Sequence, residues 1–143
     1  MAERPTSERT LTIFKPDAVS AGRSGAMLAR LEEEGFRLLG VKKLRLSPEQ
    51  ARAFYAVHRE RPFFEGLVRF MTEGPVVAAA LERENAVVHL RNTMGATDSK
   101  KAEKGTLRNL YGTDIERNAI HGSDSAENAA KEVAFFFSEA ELV

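Results

Sequence analysis

Apolar residues recur at two different periods along this chain, and the two periods alternate. Leu11 and Ile13 alternate with Thr10 and Thr12, which predicts a short strand from Thr10 to Lys15. Pro16 ends it, because proline has no N–H for a ladder. Met27, Leu28 and Leu31 return at helical spacing, and Gly35 suits the C-cap. Phe36 to Leu46 reads as a second strand. Ser47-Pro48-Glu49-Gln50 is a helix start, with serine as N-cap, proline at the first helical position and glutamine at the third. That helix continues from Ala51 to Val57. Pro62 opens another, with Phe63, Leu67 and Phe70 on one face, and Gly74-Pro75 closes it. Val76 to Leu81 is a compact apolar run of the buried-strand kind. Asn85 to Met94 reads as helix and the polar stretch Gly95 to Gly105 as loop. Leu107 to Arg117 fits neither period. Asp124 to Phe137 is the last long helix, expected to bury Ala130, Val133, Ala134 and Phe137. Either Asp124 or Ser125 can cap it, and Glu127 stands in capping-box register with Asp124.

The order is therefore roughly β-α-β-α-α-β-α-loop-β-α. The apolar strands are too few for a doubly wound sheet. An α+β fold is expected: a ferredoxin-like βαββαβ arrangement, with a four-stranded antiparallel sheet and helices on one face. No internal repeat or linker divides the chain, so residues 1–143 read as a single domain.

Composition narrows the function. The chain has 143 residues, 43% of them hydrophobic, with 21 basic and 21 acidic side chains. The zero net charge argues against a dedicated nucleic-acid partner but leaves room for a local cationic cleft. There is no cysteine, which excludes disulfides, thiolate metal sites and cysteine nucleophiles. No apolar run reaches the roughly 20 residues needed to span a bilayer, so no membrane is expected. Met1 to Glu8 lacks the apolar core of a signal peptide. A cytoplasmic protein is expected.

The most suggestive segment is Asn118-Ala119-Ile120-His121-Gly122-Ser123-Asp124-Ser125. A histidine follows a short apolar run and is succeeded by small polar residues just before a helix. Helix N-termini attract anions, and a neutral imidazole placed there can attack a phosphoryl group. Taken alone, a histidine between isoleucine and glycine is more commonly a structural hydrogen-bonding residue. The usual phosphate-binding signatures are missing: there is no G-x-x-x-x-G-K-[ST], no G-x-G-x-x-G after a strand, no H-E-x-x-H and no G-x-S-x-G. Phosphate chemistry here would need cations from separate segments, such as Lys15, Arg61, Arg91 and Arg108.

The chain resembles the nucleoside diphosphate kinase family from about Arg9 to Leu142. The segment around His121 is similar to the family's active-site signature. Lys15-Pro16-Asp17, Arg61-Pro62-Phe63-Phe64, Gly74-Pro75-Val76-Val77 and Met94-Gly95-Ala96-Thr97 match other family segments in order and spacing. The resemblance implies transfer of the γ-phosphate of a nucleoside triphosphate, typically ATP, to a nucleoside diphosphate. The route would be ping-pong through phospho-His121, with broad tolerance of base and sugar. It gives Glu132 the role of the carboxylate that orients the imidazole, expected to bond Nδ1–H. Lys15, Arg91, Thr97, Arg108 and Asn118 resemble the phosphate and ribose ligands. Tyr55 resembles the residue packed beside the histidine. Phe63 resembles the ring that stacks on the base, with Leu67 and Ile115 lining the slot. Ser123 resembles a hydroxyl that contacts the phosphorylated imidazole. Mg²⁺ would travel with the nucleotide, with Asp124 holding one of its waters. The resemblance further implies nucleoside di- and triphosphates as partners and a homo-oligomer, tetramer or hexamer, built from dimers.

Two departures stand out. Ala21-Gly22-Arg23-Ser24-Gly25 replaces a more apolar stretch, and Asp98-Ser99 stands where the family usually has a polar residue and proline. The second lies in a segment that resembles the subunit-contact loop. Ser99→Pro is expected to stabilise the assembly provided the Ser99 N–H is free. The alternative to an enzyme is a non-catalytic nucleotide-binding or regulatory module on the same fold. The intact His121, Lys15 and Glu132 favour the enzyme.

Overall fold

A computed structural model describes residues 7–143, so the reading of Met1 to Glu8 falls largely outside it. Four strands form one antiparallel sheet in the order β2-β3-β1-β4. They are β1 (Ser7–Phe14), β2 (Arg37–Leu44), β3 (Val76–Glu84) and β4 (Ile120–Gly122). The helices are α1 (Pro16–Ser20), α2 (Ser24–Glu33), α3 (Pro48–Phe54), α4 (Phe64–Thr72), α5 (Ala86–Met94), α6 (Leu107–Tyr111) and α7 (Ala126–Phe136). The ferredoxin-like expectation holds. Among the described residues no helix is long and apolar enough to cross a membrane.

Helices cover both faces of the sheet rather than one. Leu11, Ile13, Ala78 and Ala80 point to one side and pack with Ala51, Val68, Met71, Val133 and Phe136 of α3, α4 and α7, and with Tyr55 at the end of α3. Phe14, Val77, Ala79 and Leu81 point to the other side, against Ala18, Met27, Leu31, Leu90, Met94 and Leu107. A strand buried on both faces reads as a continuous apolar run, and Val76–Leu81 is buried throughout.

Local chemistry sets several boundaries. Ser47 and Gln50 form the expected capping box at α3. Ser125, not Asp124, caps α7, accepting the Asn128 N–H at 3.0 Å. Pro16, read as a stop, occupies the first turn of the short helix α1, where its missing N–H costs nothing. Gly35 takes φ +88 just past the end of α2. The Gly95–Gly105 loop contains a 3₁₀ turn over Ser99–Lys101, and the ambiguous stretch after Leu107 is α6 followed by a turn.

The predicted buried face of α7 is turned. In α7 it is Ala129, Val133, Phe136 and the following Phe137 that are buried, while Ala130 and Ala134 are exposed. Alanine loses little on either side of a helix, so it does not report the face. In α4, Phe64, Val68, Phe70 and Met71 face the core and Phe63 is 51% exposed.

The Ser99 N–H is not free: it donates to the Asp114 carbonyl at 3.3 Å. Proline there would lose that bond, worth about 0.5–1.5 kcal/mol. This cancels the expected entropic gain of about 0.4–1 kcal/mol.

Candidate active site

β4 is short, and its place in the sheet aims the histidine. His121 pairs with Ile13 across β1, so its side chain lies on the face of α3 and α7. Gly122 follows because β4 runs tight against α5: a Cβ there would lie 2.5 Å from Met94 Sδ. The Thr12 hydroxyl donates to the His121 carbonyl at 2.8 Å.

On that face the imidazole meets three partners. Its Nε2 lies 2.6 Å from Glu132 Oε1. The expected bond from Nδ1–H is therefore corrected: Nε2 carries the proton toward the carboxylate, and Nδ1 keeps its lone pair. Phe54 and Tyr55 pack edge-on to the ring, with centroids 5.4 and 6.2 Å away. Ser123 Oγ donates to the same Glu132 oxygen at 2.9 Å, so its hydroxyl fixes the carboxylate rather than the imidazole. The His121 side chain is 20% exposed. Burial lowers its pKa more than Glu132 raises it, with Lys15 and Arg108 adding to the fall. That direction favours the neutral imidazole, the form in which a ring nitrogen can act as a nucleophile. Burial and the Glu132 charge push the Tyr55 phenol up. Its hydroxyl has no hydrogen-bond partner among the described residues, and it acts as a wall.

Beside the histidine lies positive charge. Lys15 is buried and donates to Asn118 Oδ1 at 2.8 Å. Burial and the nearby Arg108 lower its pKa to about 8. Arg108 is 5% exposed and donates to the carbonyls of Gly95 and Ile120 at 3.1 and 2.8 Å. Burial, with Arg91 adding, lowers its pKa to about 10. Arg91 donates to the Gly122 carbonyl at 3.2 Å. None of these three cations has a carboxylate within ion-pair distance among the described residues. Lys15 and Arg108 are buried charges without such a counter-ion, which is costly, and an anionic ligand removes that cost. Asn118 Nδ2 donates to the carbonyls of Thr97 and Ile115 at 3.0 and 3.1 Å, which brings both segments to the cluster.

The apolar slot stands further out. Phe63 and Ile115 are 51% and 63% exposed, and Leu67 is partly buried on the core. α4 meets the loop that bears Ile115 closely: a Cβ on Gly66 would lie 3.5 Å from Glu116 Oε2. The loop is preorganised. Asp114 Oδ1 accepts the N–H groups of Glu116 and Arg117 at 2.9 and 2.7 Å. Arg117 pairs with Glu73 at 2.8 Å and covers the Phe70 ring.

Asp124 is exposed and accepts from Asn128 Nδ2 at 2.6 Å. Among the described residues no three His, Cys, Asp or Glu side chains gather to hold a metal ion. Asp124 offers an exposed carboxylate, a hard oxygen donor of the kind that suits Mg²⁺ or the water it carries.

Sequence reasoning missed Phe54, Thr12 and Asp17. Phe54 and Thr12 carry no signal beyond core periodicity. Asp17 stands in a quoted motif and accepts the Ala119 N–H at 3.1 Å.

A histidine backed by a carboxylate, unpaired cations beside it and an exposed aromatic slot are the parts that phosphoryl transfer from a nucleotide calls for. The nucleoside diphosphate kinase family profile matches residues 8–142. A nucleoside diphosphate kinase of Persephonella marina is 52% identical over 136 residues, covering 95% of this chain and 97% of the relative. One from Sulfurimonas denitrificans is 56% identical over 135 residues, covering 94% and 98%. The crystal structure of the Aquifex aeolicus enzyme superposes with a TM-score of 0.95 at 50% identity, covering 96% of this chain and all of that one. A Halobacterium salinarum enzyme in complex with CDP gives 0.92 at 44% identity, covering 96% and 92%. The chain belongs to the nucleoside diphosphate kinase family and is an enzyme of phosphoryl transfer between nucleotides.

Proposed function

We propose that this single kinase domain works by a ping-pong route through His121. The observation that carries the reading is the 2.6 Å contact of His121 Nε2 with Glu132 Oε1, which leaves Nδ1 as the nitrogen with a free lone pair. Nδ1 attacks the γ-phosphorus of a nucleoside triphosphate. The bond from phosphorus to the β–γ bridging oxygen breaks, and the diphosphate leaves with the electron pair. A terminal oxygen of a second diphosphate then attacks phospho-His121, and Nδ1 recovers its pair. One cleft serves both halves, since each product resembles the next substrate.

Lys15, Arg91 and Arg108 stabilise charge on the transferring group. Asn118 and Thr97 position the nucleotide, and Ser123 and Glu132 hold the imidazole. Mg²⁺ bound to the phosphates, with Asp124 as a water-mediated neighbour, would neutralise charge that builds up on them. We place the enzyme in the cytoplasm with the free nucleotide pool, as a homo-oligomer built from dimers.

The test is incubation with γ-labelled ATP and Mg²⁺, followed by acid or base treatment of the protein. A label that is acid-labile and base-stable, and that moves to added diphosphate, supports the route. Absence of protein-bound label under turnover conditions overturns it.

Phe63, Leu67 and Ile115 present no side-chain donor or acceptor, so stacking should treat bases alike. The Halobacterium salinarum relative was solved with a pyrimidine nucleotide, CDP. Phe63→Ala is expected to weaken purine and pyrimidine, ribo and deoxy nucleotides together, by roughly 1–3 kcal/mol. Calorimetric titration with several diphosphates checks this, and a loss confined to one base contradicts it.

A further inference from the structure

Lys15-Pro16-Asp17 sends Lys15 into the cleft, and Asp17 has no part in the chemistry above. It instead touches the most unusual backbone near the site. Ala119 is fully buried and has φ +71, in the left-handed region that disfavours a residue with a Cβ. The Ile120 N–H folds back on the Asn118 carbonyl at 2.8 Å, closing a γ-turn of the strained hand. Such a residue persists only where its surroundings over-determine it.

The surroundings here are one segment. The Ala119 N–H donates to Asp17 Oδ2 at 3.1 Å, and the Ala119 carbonyl accepts the Lys15 N–H at 2.8 Å. The other Asp17 oxygen, Oδ1, is buried without a partner among the described residues. An orphaned carboxylate oxygen is a cost, and an orphan beside strained backbone calls for an explanation. The turn separates Asn118 from His121, so any change at Ala119 moves one against the other.

We propose that Asp17 is a positioning residue whose carboxylate clamps the left-handed Ala119 turn and so sets His121 relative to the Lys15–Asn118 pair. This rests on His121 as nucleophile. All variants below keep His121 and differ only in how fast they acquire label, so failure of the clamp is distinguishable from failure of the nucleophile.

The clamp needs an acceptor at one place, not a charge. Asp17→Asn keeps an acceptor of the same reach, whereas Asp17→Glu keeps the charge and displaces the acceptor. Asp17→Ala removes both. Single-turnover phosphorylation by γ-labelled ATP reads the chemistry, ADP titration reads binding, and a thermal melt checks the fold. Asp17→Ala and Asp17→Glu are expected to slow phosphorylation on the order of 10- to 100-fold, the scale of a small misplacement of reacting groups. ADP affinity should fall much less, because base stacking is untouched. Asp17→Asn should keep the greater part of the rate.

The decisive readout is rescue. Glycine accepts φ +71 without the cost that alanine bears. Ala119→Gly added to Asp17→Ala should recover about 5- to 30-fold of the lost rate, the left-handed penalty of one residue. A general loss of stability would not be repaired by a second substitution that removes a buried methyl. Native rate in Asp17→Ala, or no recovery in the double variant, overturns the proposal. So does Asp17→Asn as slow as Asp17→Glu, which decides the matter even where the alanine variant does not fold.

Discussion

Replacing His121 with glutamine is expected to abolish both turnover and the labelled intermediate, a loss of at least about 10⁴-fold, while the protein stays folded. The proposed nucleophile has no understudy. His89 lies on α5 with its Nε2 2.9 Å from Glu34. His58 lies against Phe63, ring centroids 5.5 Å apart, on the side of the slot rather than of the cations. Water could attack the bound triphosphate in the variant, but that yields phosphate and no exchange between nucleotides. The fold should survive, because the histidine contributes edge contacts to Phe54 and Tyr55, each worth about 0.5–1.5 kcal/mol, and glutamine can still donate to Glu132. The measurement is γ-label retained on the protein together with a circular dichroism melt. A folded variant that labels like the native enzyme would remove His121 from the mechanism.

Much of this architecture is legible in the sequence, for identifiable reasons. Ser47-Pro48-Glu49-Gln50 specifies its cap by local hydrogen bonds alone, and the structure has that cap. The apolar run of β3 reports its burial directly, whereas the alternation in β1 predicts one buried face and Thr10 and Thr12 are buried as well. What fails is information that lives in tertiary contacts. β4 has three residues, too few for any period to show, and it exists because β1 offers it a ladder. Ala130 and Ala134 were expected to be buried because alanine counts as apolar, yet packing places Ala129 inward.

The site divides the same way. Motif order brings Lys15, Asn118, His121 and Glu132 to mind together, and Lys15 does bond Asn118 across 103 positions of sequence. Which ring nitrogen faces Glu132 depends on where α7 sits against β4. No one-dimensional pattern carries that, and the expectation of Nδ1 was wrong. Asp17 shows the limit best: its partner is a backbone N–H, which every residue but proline possesses.

Glu132→Gln should slow phosphoryl transfer on the order of 10- to 1000-fold without abolishing it. When Nδ1 bonds to phosphorus the ring gains positive charge, and a carboxylate 2.6 Å from Nε2 stabilises that charge as it develops. Glutamine retains an acceptor for the Nε2 proton, so the ring keeps its orientation. It also retains an acceptor for the Ser123 hydroxyl, so the local packing survives. What it loses is the countercharge, and that loss has a second signature. Burial lowers the His121 pKa, and Glu132 partly restores it through its hydrogen bond and its charge. Without the carboxylate the pKa falls further, so the imidazole stays neutral to lower pH. The acid limb of the kcat/KM profile should therefore move to lower pH in the variant, even as the plateau drops. A slower enzyme whose acid limb stays in place would mean that Glu132 orients the ring without acting on its charge. An unchanged rate would make it an ordinary helix carboxylate. A limb displaced upward would show that the group titrating there is not His121.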